Sequence, residues 1–181
     1  EMTENLSTCK SPQQMFGALY KTYFAKKMGI DPKDIVFVSA IPCTAKKFEV
    51  GRPGQDVDGM PGVDVAITTR ELARMIQSAG INFRGLKDEG FDQPFDVASG
   101  AGAIFGATGG VMEAALRSAY FLTTGENPSP DAFREVRDDG TISPLPWREA
   151  TFELAGRTVR CAVASGLGNA RQLLRSIQRR E

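Results

Sequence analysis

Apolar residues recur at helical spacing across "KSPQQMFGALYKTYFAKKMGI", where Met15, Leu19 and Tyr23 share one stripe and Phe16 and Tyr20 lie beside it. Ser11 is placed to cap that helix, Pro12 suits its first position and Gly29 its end. The pattern then changes. "DPKDIVFVSAI" is a β-branched, apolar run, read as a short buried strand that stops at Pro42, and "CTAKKFEV" reads as a helical turn. "GRPGQDVDGMPG" reads as a loop, "VDVAITT" as a second strand, and "TRELARMIQSAG" as a helix. That helix has Thr69 as its candidate cap, Gly80 as its stop, and Leu72, Met75 and Ile76 on its apolar stripe.

Beyond the loop "INFRGLKDEGFDQPFD", the stretch "VASGAGAIFGATGG" is rich in glycine and leads into a helix over "VMEAALRSAYFLTTG" that stops near Gly125. "ENPSPDAF" reads as a linker and "FREVR" as a strand. "EATFELAG" and "RTVRCAVASG" form a hairpin around Ala155-Gly156, and a last helix covers "GNARQLLRSIQRRE" with Asn169 near its start. Strands mixed with helices predict an α/β fold: a mixed sheet with a β-hairpin, flanked by helices. The hairpin argues against a purely parallel, doubly wound sheet.

Composition narrows the function classes. A length of 181 residues suits one domain or two small lobes and buries roughly 70% of the unfolded chain's surface. The 22 basic and 22 acidic side chains cancel, so no general field draws the chain to nucleic acid or anionic membrane. No apolar run is long enough for a membrane span. Three cysteines at wide, irregular spacing make no disulfide framework and fit a reducing, cytoplasmic compartment. The chain has no histidine, which removes imidazole acid–base chemistry, Cys-His and Ser-His-Asp arrangements and most zinc sites. It opens on Glu1, and "EMTENLSTCKSPQQ" reads as cut from a longer polypeptide.

Two segments carry candidate chemistry. "GAGAIFG" resembles a dinucleotide loop, but Phe105 stands where the third glycine is required, and no lysine completes a P-loop. Its glycines serve either tight packing of loop against sheet or close approach of backbone to a ligand, with the helix starting near Gly109 turning its positive end the same way. In "SAIPCTAKKFE", Cys43 is either an inert core thiol or a thiolate for a metal or redox role, set beside a helix start and two lysines. Lys46, one turn on, lies on the same side and could donate to an anionic ligand, with Glu49 placed to orient it; the alternative is a solvated helix face. Cys161, alternating with Val159 and Val163, reads as core, and Cys9, ahead of a helix start, as structural.

"IPCTAKKFE" resembles the M-P-C-x-x-K-x-x-E motif of the iron-only (FeFe) hydrogenases. "LSTCKSPQQMFGALYKTYFA", "DVDVAITTRELARMI", "SGAGAIFGATGGVMEAALRSAYFLTTG" and "GLGNARQLL" also resemble that family's large-subunit catalytic domain, in its order and over nearly the whole chain. The resemblance implies one lobe, residues 1–181, of a two-lobed domain that interconverts protons, electrons and dihydrogen. It implies an H-cluster, a 4Fe–4S cubane bridged to a diiron unit, in the parent protein, and none bound by this piece alone. Cys43 resembles the cubane ligand, Lys46 the donor to a diiron cyanide, Glu49 its support and Ser7 a member of the proton relay. Pro12 and Gln13 resemble pocket residues near the diiron unit, while Phe105, Gly106 and Val111 resemble the wall facing its dithiolate bridge. Ile41 replaces the family's methionine at the cluster wall, a branched aliphatic for a flexible thioether. The first motif, of T-S-C-C-P-x-W type, is expected before Glu1 and the third, with a C-x3-C pair, after Glu181. The resemblance thus implies the remaining lobe and a ferredoxin or other electron-transfer subunit as partners. The rival it leaves is a hydrogenase-like iron–sulfur assembly or sensory protein without turnover.

Overall fold

The computed structural model describes residues 3–95, 99–137, 145–154 and 156–179. Asp96 of the predicted loop, Val97 and Ala98 of the glycine-rich stretch, Ala155 of the hairpin turn, and Arg180 and Glu181 of the last helix lie outside the described residues. The chain divides into two compact units, Glu1–Pro94 and Phe95–Glu181.

In the first unit, helix α1 (Pro12–Leu19) runs through a π-helical segment (Tyr20–Phe24) into α2 (Ala25–Met28). The predicted signals operate: Ser11 caps the start, Pro12 opens the first turn, and Gly29 ends the run in a left-handed conformation. Strand β1 (Val38–Ala40) covers only the end of its apolar run, after a 3-10 turn over Pro32–Asp34, and is largely exposed rather than buried as expected. Helix α3 (Ala45–Val50) follows Cys43. Within the predicted loop, β2 (Asp56–Val57) and β3 (Met60–Pro61) pair antiparallel across Asp58-Gly59, both with positive φ. An Asp-Gly pair in that conformation is the favoured two-residue hairpin turn. Strand β4 (Val65–Ile67) pairs parallel with β1, Val38 opposite Val65. Helix α4 (Thr69–Ser78) is capped by Thr68, one residue before the expected Thr69. Thr68 accepts from the Glu71 amide while the Glu71 carboxylate accepts from the Thr68 amide, a capping box that Thr69 could not close.

Polar groups knit this unit. Lys21, within the π-helical segment and 4% exposed, donates to Asp64 at 2.8 Å, and Asp64 also accepts from the Phe37 amide at 2.7 Å. Around that link, Phe16, Tyr20 and Phe37 pack edge-on or tilted, with ring centres 5.1–5.9 Å apart. Gly17 lets α1 rest on the chain after β3: a Cβ there would stand 2.3 Å from the Gly62 carbonyl oxygen.

The second unit holds α5 (Gly100–Ile104), α6 (Gly110–Thr124), the hairpin of β5 (Arg148–Leu154) and β6 (Arg157–Val163), and α7 (Leu167–Arg179). Its core is Leu116, Phe133 and Val136, with Met112, Tyr120, Phe152 and Val159 among the side chains packed on it. The expected strand "FREVR" is instead a 3-10 turn over Arg134–Val136. Its apolar residues, Phe133 and Val136, are three apart, which matches the three-residue period of that turn rather than the two-residue period of a strand. Phe133 holds a left-handed φ of 65°, unusual for a bulky residue, and its buried ring packs against Tyr120 and Phe152. Cys161 is half-buried against this core, as expected, and desolvation raises its thiol pKa.

The α/β class and the hairpin are as the sequence predicts. Among the described residues the strands form three separate pairs, β1–β4, β2–β3 and β5–β6, rather than one mixed sheet. No described helix is long and apolar enough to cross a membrane.

Replacing Lys21 by Met leaves Asp64 without its cation and is expected to destabilise the chain by about 3 kcal/mol, with at least half recovered in Lys21→Met/Asp64→Asn. Urea unfolding at neutral pH measures both. The Glu71 carboxyl is held down to about 2 by hydrogen bonding to Lys47 and to the Thr68 amide. A carboxylate whose folded pKa is depressed stabilises fully above its unfolded value of 4.5, and that contribution fades as pH falls through about 2. The gap in urea midpoint between wild type and Glu71→Gln should therefore be largest above pH 4.5 and close progressively below it.

Candidate active site

The parallel pair β1–β4 ends in a place where ligands commonly bind, outside the carboxyl ends of parallel strands. The ladder extends one step past β1, where the Ile41 amide donates to the Ile67 carbonyl at 3.0 Å. Pro42 then breaks it, since proline has no N–H to continue the pairing. The chain turns at Cys43-Thr44 into α3, and the Lys46 amide donates to the Cys43 carbonyl at 3.2 Å. Cys43 is exposed at this turn, not buried in a core. Ile41, two residues before it, is half-buried.

Lys46 and Glu49 follow at helical spacing, and the Lys46 ammonium stands 3.3 Å from each Glu49 carboxylate oxygen. Glu49 is also held from α1. Ser11 Oγ donates to Glu49 Oε2 at 2.8 Å, and Gln13 Nε2 donates to the same oxygen at 3.0 Å and to the Lys46 carbonyl at 3.3 Å. Gln13 is buried, whereas Pro12 between them is exposed. Ser7, also exposed, accepts from the Cys9 amide at 3.1 Å. The fold thus brings Lys46, Glu49 and Gln13 into one bonded network. Ser11, which the sequence marks only as a helix cap, is a member that sequence reasoning missed; a cap serine gives no sign of a second partner 38 residues away.

Phe105, Gly106 and Val111 belong to the second unit, where Phe105 is 39% and Val111 56% exposed. The glycines of the stretch differ in what surrounds them. A Cβ on Gly109 would meet the Val136 carbonyl oxygen at 1.9 Å, and one on Gly110 the Ile104 carbonyl oxygen at 1.8 Å, so these two serve close packing. A Cβ on Gly100 or Gly102 would meet nothing within 4 Å, so packing does not account for them. Gly100 and Ala101 border a cavity of about 540 Å³ that also touches Glu113, Arg117 and Arg137. Glu113 is almost wholly buried there and pairs with Arg137 at 3.0 Å and Arg117 at 3.9 Å, so these charges largely satisfy one another.

The donor set tests what metal the chain could hold. A 4Fe–4S cubane takes four cysteine thiolates. Among the described residues, no group of three or more Cys, Asp or Glu stands close enough to hold a metal ion. Cys43, with a cation one turn away, fits one corner of such a cluster, and the chain does not supply the rest.

Comparison with known proteins identifies the family. Residues 1–181 match the profile of the iron only hydrogenase large subunit, C-terminal domain. The chain is 49% identical over 176 residues to the HndD subunit of an NADP-reducing hydrogenase from Solidesulfovibrio fructosivorans, covering 97% of this chain and 29% of that protein. It is 30% identical to a cytosolic Fe-S cluster assembly factor of Xenopus tropicalis, covering 96% of this chain and 37% of that one. Its fold matches the FeFe-hydrogenase HydA1 of Chlamydomonas reinhardtii with a TM-score of 0.70 and 37% identity, covering 95% of this chain and 50% of that one. The chain therefore spans half or less of each of these relatives, and it belongs to the iron-only hydrogenase large-subunit family.

Proposed function

We propose that this chain is a segment of an iron-only hydrogenase that reversibly reduces protons to dihydrogen, and that it carries one corner of the H-cluster site. The observation that carries this reading is the arrangement after β1. An exposed thiol is followed one turn later by a lysine whose ammonium is oriented by a carboxylate, in a chain that matches the family throughout. When bound, the cluster supplies the redox chemistry that joins protons and electrons into dihydrogen.

This chain's residues have narrower tasks. Cys43 supplies one thiolate, and the other cubane thiolates come from outside these residues. Lys46 has three N–H donors and points those not taken by Glu49 at an anionic ligand. Ser7 passes a proton through its hydroxyl, whose oxygen the Cys9 amide helps to orient. Gln13, Pro12 and Ile41 are assigned cofactor-binding roles in the first unit, and Phe105, Gly106 and Val111 in the second. The bare helical glycines Gly100 and Gly102 leave backbone open to close approach, which supports a ligand-facing role for that stretch. The remaining lobe completes the enclosure and excludes water, and ferredoxin or another electron-transfer subunit exchanges electrons with the parent. By itself the chain is catalytically inert.

The assembly or sensory reading has less support. Identity to the hydrogenase subunit is 49% against 30% to the assembly factor, and Pro12, Gln13, Lys46 and Phe105 all match the hydrogenase motifs.

In the full-length protein, Cys43→Ser and Lys46→Ala are expected to lower hydrogen evolution and diiron retention by about 100-fold or more, the upper range for loss of groups around a metal. Undiminished evolution in Lys46→Ala would remove its role. Iron reconstitution of the present chain should give no stoichiometric 4Fe–4S signal by electron paramagnetic resonance; a full signal would contradict the count of one ligand.

A further inference from the structure

We infer that Ser11 and Gln13 are positioning residues for Lys46, acting through Glu49. This rests on the reading of Lys46 as a donor to an anionic ligand.

The geometry is graded. Glu49 Oε2 receives two shorter bonds from α1, 2.8 Å from Ser11 Oγ and 3.0 Å from Gln13 Nε2, whereas Lys46 stands 3.3 Å from the carboxylate oxygens. The carboxylate is therefore anchored to α1, and the lysine is anchored to the carboxylate. Gln13 adds a second hold by donating to the Lys46 carbonyl at 3.3 Å. An isolated Lys-Glu pair three residues apart on a short exposed helix holds its side chains loosely, because the interaction offsets little of their rotamer entropy. Here the carboxylate partner is immobilised from another element, so less ordering is left for the pair itself.

Ser11 does this while also capping α1. Its oxygen accepts from the Gln14 amide at 3.5 Å and its proton goes to Glu49. A hydroxyl is the side chain suited to both, since it donates one bond and accepts others. Aspartate would serve the cap but not the donation, and its charge would face Glu49. The positive end of α1 lies at the same point, which favours a carboxylate there. The Lys46 ammonium carries three N–H bonds, so even with both Glu49 oxygens engaged one is left for a further acceptor.

Two substitutions separate positioning from folding. Ser11→Gly keeps a residue tolerated at a helix cap and removes the donor, while Ser11→Thr keeps both functions. Gln13→Met leaves the cap untouched and fills the buried site. The readout is side-chain carbon relaxation of Lys46 in the labelled, cluster-free chain, with exposed Lys47 as the internal control. The Lys46 terminal-methylene order parameter is expected to fall by about half in Ser11→Gly and in Gln13→Met, to hold in Ser11→Thr, and to stay constant at Lys47 in all three. An unchanged Lys46 value in both Ser11→Gly and Gln13→Met would overturn the inference, as would an equal fall in Ser11→Thr. Because no cluster enters the measurement, a fall at Lys46 alongside normal hydrogen evolution in Lys46→Ala would keep the positioning role and remove only the hydrogenase role of the lysine.

Discussion

The Asp64 carboxylate accepts from the Lys21 ammonium on one side and the Phe37 amide on the other, and the layout of the first unit follows from those two bonds. Asp64 directly precedes β4, and Phe37 directly precedes β1. The Asp64 amide also donates to the Phe37 carbonyl at 3.0 Å, so the first rung of the parallel pair is set before Val38 meets Val65. A slip of one residue would turn every strand side chain to the opposite face and move the end of β1. The position of Cys43 is thus inherited from a carboxylate far from it in sequence. The same carboxylate holds the first helix against the strands through Lys21, which is why a buried lysine is tolerated there.

Glu49 has a comparable role at the end of the strand. Asp64 joins helix to strand and fixes register; Glu49 joins the start of α1 to α3 and fixes the lysine that follows the thiol. Both carboxylates accept donors from elements distant in sequence, so the local site depends on tertiary contacts rather than on α3, a helix of only six residues. Apolar packing does less in this unit. Val38 and Val65 of the parallel pair are 50% and 44% exposed, although parallel strands ordinarily have both faces covered.

Much of the architecture was legible wherever a signal acts over a few residues. Ser11, Pro12 and Gly29 bound the first helix as their stereochemistry requires, and Gly125 ends α6. The alternation of Val159, Cys161 and Val163 marks one face of β6, and that face packs on the core. Errors came where two local patterns compete. "FREVR" has strand-forming residues, but Phe133 and Val136 are spaced for a tight turn that buries both. Asp58-Gly59 carried a hairpin signal that the surrounding glycines and prolines masked. The choice between Thr68 and Thr69 as cap turned on which one could exchange bonds with Glu71.

For the site, residue order alone fixes the chemistry available: one thiol after a strand, a lysine and a glutamate at helical spacing, no imidazole, and too few cysteines for a whole cluster. Motif spacing carries that information because a turn of helix always brings such residues to one side. The folded chain was needed to show that Cys43 is exposed rather than core, that Ser11 and Gln13 reach Glu49, and that Gly109 and Gly110 serve packing while Gly100 and Gly102 do not. Each of those depends on which distant backbone or side chain fills the neighbouring space, and no local pattern of residues records that.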